Sequence, residues 1–164
     1  MADPDRGQRI SITFEIPGDP IAKKRPRFAA RIMKQPGGGI RAFTHAYKDP
    51  REETEESKVM RYLERAWKGD PIQKGIPVGL DIIFFLQIRK DSMINITRML
   101  AGELMPVKKP DLDNLTKFIK DAGRGIIYHD DSQVVHETAD KIFSPKPHTE
   151  ITVTFPWNCQ KLLK

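Results

Sequence analysis

At 164 residues with 38% hydrophobic side chains, the chain has the length and composition of one domain around one core. Its longest apolar run, Ile82 to Leu86, is far too short to cross a bilayer, and the opening MADPDRGQRISITFE has no signal-peptide core, so a cytoplasmic protein with no membrane partner is expected. A net charge of +6 favours an anionic partner, while the lone Cys159 excludes an internal disulfide and a cysteine-based zinc site.

In chain order, ISITFEI places Ile10, Ile12, Phe14 and Ile16 on one side and polar residues on the other, which predicts a half-buried strand ended by Pro17-Gly18. KKRPRFAARIMK then carries Lys23, Lys24, Arg25, Arg27, Arg31 and Lys34 with no acid among them, followed by Gly37 to Gly39 and Arg41. This reads as a basic, mobile loop over about residues 22–45; a solvated surface loop and a nucleic-acid contact explain it equally well. A helix follows, with Asp49 as N-cap, Pro50 at the first helical position and Glu52 completing a capping box. Val59, Met60, Leu63, Ala66 and Trp67 recur at helical spacing as a core stripe, and Gly69 stops the helix.

PVGLDIIFFLQIRK is a strand with apolar residues on both faces, which places it centrally in its sheet. SMINITRMLAGEL predicts a short helix from a Ser92 cap. Beyond PDLDN, the spacing of Leu115, Phe118, Ile119 and Ala122 predicts another helix, ended by Gly123. GIIYHDD reads as a short strand running into a turn, and VVHETADKIF and ITVTFPW as two more strands joined by SPKPH. The expected fold is a single mixed α/β (α+β) domain over residues 1–164, with a mixed sheet of four or five strands and two to three helices.

KKPDLDNLTKFIKD carries the chemistry. If Asp111, Leu112 and Asp113 stay extended, both carboxylates lie on one side while Leu112 anchors the segment. A helix beginning at Asp113 or Asn114 aims free N–H groups at the same place, with Lys117 one turn on. Two carboxylates and a lysine at a helix entrance suit a divalent cation held against a phosphate. An Asp at a helix start is also a common cap, which accounts for Asp113 but leaves Asp111 over. A second acidic pair, Asp130 and Asp131, ends a short apolar element; adjacent carboxylates repel, and a cation relieves that.

PDLDNLTKFIKDA followed by GIIYHDDSQVV resembles the RusA family of Holliday junction resolvases, and IPGDPIAKKRPRF resembles the basic N-terminal segment of its phage members. The resemblance implies a RusA-like fold and a homodimer that cleaves branched DNA with Mg²⁺, for which Mn²⁺ substitutes. It implies Asp111, Asp113 and Asp131 as metal-site acids, with Asp130 as a further candidate, and Lys117 as the essential lysine. Two departures stand out: Pro110 precedes DLDN where compact members have arginine, and residues 91–106 look inserted.

The expected activity is hydrolysis of four-way junctions by paired nicks with metal-activated water. Lys117 stabilises charge on the phosphate, and Lys23, Lys24, Arg25, Arg27, Arg31, Lys34, Lys108 and Lys109 track the DNA. A nuclease for other branched or flap substrates and a non-catalytic DNA-binding module remain as alternatives. His129 adjoins the acidic pair, and no Ser/His/Asp or Cys/His arrangement can be argued.

Overall fold

The alternating residues near the start form β1 (Arg9–Pro17), as the sequence predicts; the computed structural model describes residues 9–23, 27–34, 40–47 and 50–156. The expected basic loop over 22–45 is corrected. β2 (Arg27–Lys34) and β3 (Ile40–Tyr47) pair as an antiparallel hairpin, with Arg31 opposite Phe43. FAARIMK and IRAFTHAY contain aromatic and β-branched residues on either side of the glycines, a strand-turn-strand signal that the charge density obscured.

α1 (Pro50–Ala66) begins on Pro50, while Asp49 and the Glu52 side chain of the expected capping box lie outside the described residues. Val59, Leu63 and Trp67 are buried. The Trp67 ring stands edge-on to Phe155, with centroids 6.0 Å apart, so the apolar stripe is core. β4 (Val78–Gln87), α2 (Met93–Leu100), α3 (Leu112–Gly123), β5 (Val134–Ser144) and β6 (His148–Pro156) follow. Ser92 caps α2 as predicted, accepting from Asn95 N at 3.3 Å.

The main sheet has the order β1-β6-β4-β5, with β4 parallel to β5 and the other pairs antiparallel. The mixed single-domain α+β fold with three helices is the one expected. β4, apolar on both faces, is interior: Val78, Leu80, Ile82 and Phe84 are buried beneath the helices, and Ile83 and Phe85 are half-exposed on the far face. α1 and α3 cover one face with Leu63, Leu115, Phe118 and Ile119. The other face is largely polar, with Thr13 and Thr152 hydroxyls bonded across the strands at 2.8 Å. No helix among the described residues is long and apolar enough to cross a membrane.

A parallel strand pair needs a crossover. The crossover from β4 to β5 holds α2, α3 and every acidic residue of interest. The expected strand at GIIYHDD is corrected: the chain there is a turn with isolated bridges from Tyr128 to Ile72 and Arg124. Gly125, at φ 78°, lets the chain fold back, so that Ile126 and Ile127 N–H groups return to the Gly123 carbonyl at 3.1 and 2.8 Å. Ile127 and Tyr128 enter the core from this turn.

Candidate active site

The entrance to α3 is set by three backbone carbonyls. The Lys141 ammonium donates to the carbonyls of Lys108 and Pro110 at 3.0 and 2.9 Å, and Arg89 donates to that of Lys109 at 3.4 Å. A cation from β5 and one from just past the end of β4 thus anchor the KKP segment immediately before the acids. Asp111 is the N-cap, with φ −74° and ψ 140°, and its carbonyl receives Leu115 N at 3.1 Å. The extended 111–113 geometry is therefore corrected: Leu112 and Asp113 are already helical, because the helix starts at Leu112, before Asp113 or Asn114.

The Asp111 side chain makes no capping bond and, among the described residues, accepts only the Asn114 amide, at 3.4 Å. Its backbone caps while its exposed carboxylate stays open to a ligand. Asp113, in the first turn where the helix dipole favours an anion, and Lys117 one turn on are also exposed. Neither carries an ion pair or side-chain hydrogen bond among the described residues. Oxygen donors of this kind fit a hard divalent cation such as Mg²⁺.

The second acidic pair divides its labour. Asp130 caps the 3₁₀ turn Asp131–Gln133, accepting from Ser132 N at 3.0 Å, and Gln133 completes a reciprocal capping box. These bonds to Ser132, with a smaller contribution from Arg124, hold the Asp130 carboxyl below its usual range. The turn thus uses one carboxylate of the pair, Asp130, as its cap. Asp131 faces Arg124 at 2.8 Å, with half the arginine side chain exposed. A surface pair of that kind contributes at most about 1 kcal/mol, so a stronger cation can replace it. His129 enters this turn through its backbone N–H, which donates to Gln133 Oε1 at 3.0 Å.

The two acidic clusters do not meet within one chain. α3 has 12 residues, about 18 Å of helix at about 1.5 Å per residue. Asp111 stands before its start, and Asp131 is paired to Arg124 just past its end. β5 gives an independent measure. Its Glu137 pairs with Lys120 near the helix end, and its Lys141 reaches Pro110 at the helix start. From Val134 to Lys141 the strand covers about 23 Å at about 3.3 Å per residue. Within one protomer α3 therefore lies between Asp111 and Asp113 at its start and Asp131 beyond its end.

Among the described residues, the acidic and histidine side chains whose donor atoms all lie within 4.8 Å of one another are Glu15, His148 and Glu150. Glu15 and Glu150 are cross-strand neighbours on the polar sheet face, away from α3. His148 stacks on Phe85 at 3.9 Å, and its Nδ1 faces the Lys146 carbonyl at 2.9 Å.

Of the basic residues expected on DNA, Lys23 is committed elsewhere. Its ammonium pairs with Asp121 on α3, and its backbone N–H donates to the Asn114 carbonyl at 3.0 Å. Lys24 and Arg25 lie outside the described residues, and Arg27, Arg31 and Lys34 are placed by backbone on β2. Lys108 and Lys109 are exposed beside Asp111.

Sequence reasoning missed Arg124, Lys141 and Gln133. Asp130-x-x-Gln133 is itself a capping-box spacing, and Lys141 between Ala139 and Phe143 marks an inward lysine that needs acceptors.

The family model described as Endodeoxyribonuclease RusA matches residues 17–154. The chain is also 30% identical over 145 residues to YqaN, an uncharacterized protein of Bacillus subtilis (strain 168), covering 87% of this chain and 94% of that relative. Because the match runs from the end of β1 through both acidic clusters to β6, the chain belongs to the RusA endodeoxyribonuclease family.

Proposed function

We propose that this protein is a divalent-cation-dependent endodeoxyribonuclease that resolves four-way DNA junctions by paired nicks, each site being assembled between two copies of the chain. The observation that carries the reading is the exposed face of α3. Asp111 and Asp113 lie at one end, Lys117 along it, and Arg124 with Asp131 at the other. That face is self-complementary when reversed. A two-fold axis across it sets the acidic start of one helix against the Arg124 end of the other, and repeats the contact by symmetry. Asp131 of one protomer then joins Asp111 and Asp113 of its partner. Two such sites, related by the axis, suit a junction that must be cut twice.

Within each site Asp111 and Asp113 supply oxygen ligands for Mg²⁺, for which Mn²⁺ substitutes. Asp131, held here by an exposed pair to Arg124, would complete the ligand set. Bound there, the cation supplies Lewis acidity at the scissile phosphate. Lys117 stands one turn from Asp113, within reach of a phosphate bound at the helix N-terminus, and opposes the negative charge that builds there. Asp130 holds the turn that aims Asp131. Lys24, Arg25, Lys108, Lys109 and the hairpin residues Arg27, Arg31 and Lys34 contact the DNA arms, while Lys23 fastens the N-terminal segment to α3.

Mixing Asp111→Asn with Asp131→Asn protein tests this. Each variant alone loses nicking in Mg²⁺. After co-refolding at equal amounts, half the dimers are mixed, and each mixed dimer has one intact site. About a quarter of wild-type sites therefore return, giving single nicks without paired resolution. A mixture as inactive as its parents, beside an active wild type, would discard the shared site. A wild type that binds junctions yet never nicks them would leave a non-catalytic DNA-binding module, a reading that the single-chain separation of the acids also fits.

A further inference from the structure

The segment between β4 and α3 differs from the rest of the helical layer. α1 and α3 bury their apolar faces, whereas of the apolar residues of α2 only Met99 is buried. Met93, Ile94 and Val107 are 76, 73 and 88% exposed. Behind this lip an open cleft of about 670 Å³ runs between the 91–107 segment and the ends of β4 and β5, as far as Pro110 beside Asp111. Its walls divide by chemistry. Leu86, Met99, Leu104 and Phe143 make an apolar interior, while Arg89, Lys90, Lys108 and Lys109 line the cleft with cations. Two acids also border it, Asp19 and Asp91. Asp91 is engaged by Ser92 N at 2.7 Å and the Asn95 amide at 2.9 Å.

We infer that this cleft receives one unstacked nucleotide flanking the scissile phosphate, its base against the apolar interior and its phosphates on the cationic residues. The inference rests on the nuclease reading above and adds to it a reason for selecting branched DNA. The volume falls in the range of small-ligand sites. An intact duplex turns phosphates outward and hides its base faces, so it matches the cations but not the interior. Nucleotides at a branch point have already lost part of their stacking, which lowers the cost of drawing one out. A second copy of this chain would set cations against cations in a protein of net charge +6, so charge favours the polyanion.

The experiment uses the full-length protein in EDTA and a synthetic junction carrying 2-aminopurine at the branch point or well inside an arm. On binding, branch-point fluorescence rises severalfold and arm fluorescence does not. Leu104→Trp, which fills the cleft, still shifts the junction in a gel but abolishes the rise; Met99→Leu, which conserves volume, keeps it. Junction bound with branch-point fluorescence still quenched overturns the cleft assignment alone, and so does a full rise in Leu104→Trp. Failure of the wild type to bind any junction overturns this inference together with the reading beneath it.

Discussion

Replacing Gln133 with methionine removes one amide from the turn that carries the second acidic pair. Gln133 is 7% exposed. Its Oε1 accepts His129 N at 3.0 Å and Asp130 N at 3.2 Å. Its Nε2 faces the carbonyls of Ile72, Gln73 and Ile76 at 3.2, 2.8 and 3.2 Å. Two hydrogens serve three acceptors, and the Gln73 carbonyl keeps Ile76 N at 3.2 Å after the change. Two N–H groups and two carbonyls then lose their bonds to Gln133, some of them within reach of water. At about 1 kcal/mol for each lost bond, with more for any group kept dry, Gln133→Met costs about 2–4 kcal/mol. Urea unfolding should show the midpoint falling at constant m, and the melting temperature should drop by roughly 4–16 °C for a chain of this size. Below the unfolding range nicking should fall further than stability explains, because Asp131 loses its support. A cost under about 1 kcal/mol would refute the reasoning, since it would mean that water or a shifted backbone satisfies these groups without the amide.

Other outcomes follow from the same geometry. The buried Tyr128 hydroxyl donates to the Lys120 carbonyl at 2.9 Å. Burial first and the Asp131 charge second push its phenol well above the usual range, so it remains a donor at working pH. Tyr128→Phe should cost about 0.5–1.5 kcal/mol, read from urea midpoints; no measurable change would mean that the carbonyl finds another partner. Glu15 and Glu150 stand directly opposite each other on the polar sheet face. In EDTA, Glu15→Thr should stabilise the fold by about 0.2–1 kcal/mol, with the gain shrinking as salt rises. The Asp130 carboxyl is depressed by its bonds to Ser132. Its contribution is complete above the ordinary carboxylate pKa of about 3.9 and is lost as the pH falls through the lowered value. Asp130→Asn should flatten the acid limb of the stability profile, which urea midpoints at a series of acid pH values would read.

The residues alone determined the periodic elements. The two-residue alternation in β1, the apolar continuity of β4 and the helical stripes of α1 and α3 are one-dimensional patterns, set by side-chain direction along the backbone. The chemical types of the site were also legible, because paired aspartates and a lysine at a helix entrance suggest cation and phosphate without any fold. What the sequence could not contain was distance. Asp111 and Asp131 are 20 positions apart, a separation equally compatible with contact across a bend and with opposite ends of a rod. Twelve helical residues made it a rod. Tertiary structure likewise decided that Lys23 belongs to Asp121, that Lys141 holds the KKP carbonyls, and that Asp131 pairs with Arg124. Each outcome depends on which surfaces the packed sheet brings together, and a partner lying far along the chain leaves no periodic trace in the sequence.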